Sequence, residues 1–161
     1  WELLKNDLGD IELFGENLYA VHSIEYKRLE THFYVFAVRC LDKWLSWEEV
    51  KFYAALFDLP TVPELCTEQV NGLTAETLKQ HVICLAGESS VFGSRDALTG
   101  MDCTREGVVT RNTGEYLTAD FARNVFKYVR QGHVQTDEHW TRHWKRARLV
   151  WESKQEKGGN E

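Results

Sequence analysis

The chain has 161 residues, 43% of them hydrophobic and 27% charged, with a net charge of −6. That is enough chain for one domain with a real core, and its composition is ordinary for a globular protein. No apolar stretch approaches the length needed to span a bilayer, and an acidic total argues on its own against a nucleic-acid partner.

In chain order, Ile11 to Ala20 alternates enough to be a strand, interrupted at Gly15, and a glycine followed by an acid inside a strand usually marks a bulge. Phe33 to Cys40 (FYVFAVRC) is aromatic and β-branched and reads as a buried strand. Ser46-Trp47-Glu48-Glu49 is a capping-box pattern, so a helix is predicted from there to about Phe57, with Val50, Tyr53, Ala54 and Phe57 on one face. Leu59-Pro60 ends it, and Thr61 to Cys66 is predicted as a short edge strand because it carries Pro63. Thr74 to Ala86 is a second helix stopped by Gly87, and Glu88 to Thr104 reads as a loop rich in Gly, Ser and Asp. Glu106 to Arg111 is a strand, and Thr118 to Arg130 a short helix leading into a strand. A last helix starts at Thr136, with acids in its first turn and Lys145, Arg146 and Arg148 late, as the helix dipole favours. The tail from 154 to 161 is polar and expected to be flexible. Strands and helices interleave without βαβ spacing, which points to α+β with mainly antiparallel sheets.

Charge and cysteines add local detail. Arg123 to Arg148 holds seven Lys/Arg against two acids (Asp137 and Glu138), a local +5 that leaves −11 elsewhere. Such a basic third suits a polyanion or simply a solvated helix face. Cys40, Cys66, Cys84 and Cys103 form no CxxC pair, and no histidine stands at zinc-finger spacing from them. They read as reduced, mostly buried thiols of a cytoplasmic protein rather than disulfides or a metal site. His139 and His143 stand at i,i+4 without a third ligand in reach, and Trp140, Trp144 and Trp151 read first as a packing stripe.

Four ordered segments carry the chemistry. They are Gly15 to Ala20 (GENLYA), Phe33 to Phe36 (FYVF), Glu106 to Val109 (EGVV) and Lys127 to Arg130 (KYVR). An acid at a backbone kink can accept from ribose hydroxyls, and an aromatic face can stack on a purine. A second acid can hold a divalent metal between phosphates, and a lysine can neutralise an α-phosphate as charge builds. Each segment alone is weak, and its ordinary reading is a bulge, a core strand or a strand start.

The order and the longer stretches GENLYAVHSIEY (Gly15 to Tyr26), LSWEEV (Leu45 to Val50), LPTVPEL (Leu59 to Leu65) and KYVRQGHVQTDEHW (Lys127 to Trp140) resemble the RNA ligase branch of the covalent nucleotidyltransferases. The resemblance implies a partial ligase nucleotidyltransferase domain over 1–153, of ATP-grasp-like α+β fold and incomplete at its N-terminus. It also implies a three-step reaction, in which a lysine takes AMP from ATP, AMP passes to a 5′-phosphate RNA end, and a 3′-hydroxyl seals the break. Glu16 would contact the AMP ribose, and Phe36 would stack on adenine. Glu106 would sit beside the nucleophile and Mg2+, and Lys127 would contact the α-phosphate. Arg111 and Arg130 are the candidate RNA contacts, although Arg111 is equally a candidate for a structural ion pair. The implied partners are RNA ends and a fused or associated end-healing domain, with no membrane.

Three departures stand out. Ala37 follows Phe36 where relatives commonly carry an acid. Only Lys127 is present where many relatives carry two lysines two residues apart, with Val125 and Val129 at that spacing. The family's Lys-x-Asp-Gly or Lys-x-x-Gly nucleophile is missing: no lysine has glycine three positions later, and Lys5-Asn6-Asp7-Leu8 fails the pattern. Trp1 therefore reads as an internal position of a longer domain. The alternatives are a degenerate nucleotide- or RNA-binding module without catalysis, and a DNA ligase or capping relative.

Overall fold

A computed structural model describes residues 9–130 and 145–152. The chain divides into two compact units, residues 1–17, 33–63 and 110–126 in the first and residues 18–32, 64–109 and 127–161 in the second. The α+β class with antiparallel sheets is as the sequence indicates.

In the first unit, β1 (Ile11–Asn17) pairs antiparallel with β4 (Phe33–Cys40). β4 turns into β5 (Lys43–Trp44), which pairs with β8 (Tyr116–Leu117), giving the order β1-β4-β5-β8. The first helix, α1 (Trp47–Leu56), starts as its capping box requires: Glu49 N donates to Ser46 Oγ at 3.3 Å and Ser46 N to Glu49 Oε2 at 2.8 Å. Its apolar face, Trp47, Val50 and Ala54, packs with Val35, Val38 and Leu45 of the sheet side into one core. Completely burying such side chains contributes about 1.5–3 kcal/mol each against exposure. Pro60 and Val62 lie along β4, with Val35 N donating to Pro60 O and Val62 N to Val35 O. The predicted strand over Thr61 to Cys66 is reduced to a single bridge at Thr61, because only that short stretch meets a strand edge.

In the second unit, β2 (Ala20–Val21) pairs with β10 (Lys145–Arg146), and β3 (Ile24–Tyr26) pairs with β6 (Ser94–Asp96). The helix α2 (Ala75–Ala86) is capped by the Thr74 side chain, which accepts from Thr77 N, and ends at Gly87. The stretch from Glu88 to Thr104 is a loop with one real strand in it, β6, and is tied by polar contacts. Ser94, 3% exposed, donates through Oγ to Cys103 O at 2.6 Å. Asp96 Oδ1 accepts from Leu98 N at 3.0 Å and Thr99 N at 2.7 Å, which pulls its carboxyl below the ordinary range.

The strands β7 (Gly107–Arg111) and β9 (Val125–Val129) pair with each other, and the division between units falls within both. A 3-10 turn (Thr118–Asp120) and the short helix α3 (Phe121–Asn124) lead into β9, as the sequence suggests.

Three further sequence expectations fail. Lys145 and Arg146 are strand residues, held by β2 rather than at the end of a helix. Trp151 is 51% exposed, so it is not core, while Trp140, Trp144, His133, His139, His143 and the helix start at Thr136 lie outside the described residues. The cysteines are free, but Cys66 and Cys84 are exposed and Cys40 and Cys103 only partly covered.

Candidate functional site

The first unit positions Glu16 and Phe36 through a bulge. Phe14 pairs with Ala37 but Gly15 pairs with Val35, so Phe36 is the extra residue of β4 and has no counterpart on β1. A bulge can break the alternation of side chains. Along β4 itself the alternation is kept: Val35 and Ala37 are buried at 0% and 6%, while Phe36 between them is 39% exposed. Gly15 leaves room for Phe33, since a Cβ there would lie 2.3 Å from the Phe33 ring that packs over it. Glu16 follows, exposed and opposite Tyr34.

Arg111, at the end of β7, locks this region from behind. Its Nη1 donates to Phe36 O at 2.6 Å and its Nη2 to Leu45 O at 3.3 Å, and its guanidinium lies 5.5 Å from the centre of the Trp47 ring. Burial pushes its pKa down. A half-buried guanidinium satisfied by carbonyls is bound tightly to its own chain. The structure thus gives Arg111 an intramolecular partner set of main-chain oxygens, which sequence reasoning missed because nothing local signals a contact across 75 positions.

The second unit positions Glu106, Lys127 and Arg130. Arg130 N donates to Glu106 O at 2.9 Å and, at the other end of the two strands, Asn112 N to Asn124 O at 2.8 Å, which makes β7 and β9 antiparallel. Gly107 permits the close approach, since a Cβ there would meet Tyr128 O at 2.1 Å. Glu106 is exposed at the bend before β7. Lys127 is exposed on β9, beside Val129 at 37% exposure. Arg130 is half-covered and adds to the pull on the Asp96 carboxyl. The bend and the glycine thus set a carboxylate and an ammonium on neighbouring strands.

These residues suit the groups the resemblance implies. Phe36 offers a reachable ring, and Glu106 offers hard carboxylate oxygens of the kind Mg2+ prefers. Three cations of the basic third are paired within the chain: Arg123 with Asp120 at 3.6 Å, Lys145 with Glu25 at 3.0 Å, and Arg146 with Glu152. Among the described residues, no helix is long and apolar enough to cross a membrane.

A family model of RNA ligases matches residues 1–129. The chain therefore belongs to the RNA ligase family. No curated protein and no solved structure matches it.

Proposed function

We infer that this chain serves an ATP-dependent RNA ligase that joins 5′-phosphate and 3′-hydroxyl RNA ends through enzyme-AMP and RNA-adenylate. The observation that carries this reading is the family match over residues 1–129, which takes in all four candidate nucleotide residues. Phe36, on the exposed face of β4, stacks on adenine. Glu16 accepts from the ribose hydroxyls. Lys127 offsets charge on the α-phosphate, where one well-placed donor is worth about 10²–10³ in rate. Glu106 holds Mg2+, which supplies charge neutralisation on the phosphates. Arg130 is the RNA contact of this reading, and Arg111 acts indirectly, by fixing the Phe36 peptide.

The nucleophile is not among this chain's residues, since no lysine is followed three positions later by glycine. The same observation favours the second reading, a binding module without chemistry. Labelled ATP with magnesium should leave this chain unlabelled. A longer chain that also supplies Lys-x-Asp-Gly should become labelled, with Lys127→Ala and Glu106→Ala lowering the yield about 100-fold. Labelling of the present chain would show that it has a nucleophile after all. A longer chain that binds ATP without ever taking label would establish the binding module. Sealing of nicked DNA in preference to nicked RNA would point to the DNA ligase relative, since RNA recognition depends on 2′-hydroxyls.

A further inference from the structure

Outside the nucleotide residues, the second unit gathers three side chains with soft and borderline donor atoms. Cys66 Sγ lies 3.8 Å from His81 Nε2, and His81 Nε2 lies 3.6 Å from Glu68 Oε1. All three donor atoms fall within 4.8 Å of one another. We propose that Cys66, Glu68 and His81 form a binding site for one zinc ion, independent of the ligase reading.

The distances decide the choice of ion. Zinc bonds of about 2.0–2.3 Å in a tetrahedron separate neighbouring ligand atoms by about 3.4–3.6 Å. The two edges to His81 are within a few tenths of an ångström of that, and the third lies within 4.8 Å, so the Glu68 side chain is the one that has to adjust. Thiolate and imidazole together select zinc over magnesium or calcium. One tetrahedral position is left for water or an added ligand.

Local structure holds the three residues in place. Thr67 Oγ1 donates to Glu64 Oε1 at 2.5 Å, a side-chain bond that spans Cys66. His81 sits in the middle of α2, a rigid element. Glu68, Glu64 and Glu88 all lie close enough to the sulfur to act on it electrostatically. A dication at this point would relieve that accumulation of negative charge. The pattern is Cys-x-Glu with the histidine fifteen positions after the cysteine. It is not a recognised finger spacing, which is why the sequence alone hides it.

The test uses the chain stripped of metal with a chelator, under reductant. Zinc titrated against a chromophoric chelator should bind with one equivalent at about 1 µM or tighter, and should raise the melting temperature by about 5 °C. Cobalt(II) in place of zinc should give a thiolate-to-cobalt charge-transfer band, a signature that histidines elsewhere in the chain cannot produce. Cys66→Ser should abolish the band and His81→Gln should weaken binding at least 100-fold, while Cys84→Ser, altering the other exposed thiol, should leave both intact. Absence of the cobalt band in the unaltered, folded chain overturns the proposal whether or not the variants fold. A band that survives Cys66→Ser but disappears in Cys84→Ser also overturns it.

Discussion

The first unit completely buries Val35, Val38, Val50 and Ala54 around one helix and one sheet, whereas Leu29 is the one large side chain completely buried in the described part of the second. The second unit instead holds its long loop with Ser94, Asp96, the Arg105–Glu88 pair at 3.0 Å and the Lys27–Asp102 pair. Apolar burial is indifferent to protons and salt, while hydrogen-bonded carboxylates and exposed pairs are not. One region should thus keep its shape across conditions, and the other should respond to pH and ions. The candidate nucleotide residues divide in the same way: Phe36 belongs to the packed first unit, and Glu106 and Lys127 belong to the second.

The strongest test of that contrast is Trp47→Ala. It removes a core side chain and the ring under Arg111, and should cost about 3–5 kcal/mol. Native-state hydrogen exchange should report the loss at β4 and α1. An equal loss at β3 and β6 would mean that the two regions are one cooperative body, and the comparison would break. A smaller effect is expected from Ser46→Ala, which removes the cap of α1 and should cost about 1 kcal/mol, again read at the α1 amides.

The smallest effect should come from mild acid. Asp96, Asp102 and Glu152 are held below the ordinary carboxylate range by their hydrogen bonds to Thr99, Lys27 and Arg146. A group with a depressed native pKa stabilises above its unfolded pKa, and that contribution is lost as pH falls through the native value. Protection corrected for intrinsic exchange should therefore weaken between about pH 4.5 and 3, first at β3 and β6. The first unit carries the same device at Glu12 and Glu49, but its core does not depend on it. Protection lost first at β4 would reverse the assignment.

What the sequence disclosed were the features whose causes are local. The α1 capping box, the α2 boundaries and the β4 apolar run all depend on residues within a few positions of each other. What it hid depends on distant partners. β6 is a polar triplet, Ser94-Arg95-Asp96, that becomes a strand only because β3 lies beside it. Lys145 and Arg146 look helical by charge and are strand because β2 claims them. The candidate nucleotide residues were chosen by their order along the chain, and the partners of Arg111 could be found only by knowing which carbonyls it meets.

The extra residue in β4 has one more consequence. β1 spans seven residues and β4 eight, so removing Phe36 alone would bring the two strands into an uninterrupted ladder. Such a deletion removes the register shift and the ring in a single step, and it leaves Val35 and Ala37 as neighbours on opposite faces. A register defect of this kind is difficult to tinker with: drift by substitution can change what is displayed at Phe36, but only loss of a whole codon can withdraw the position from display.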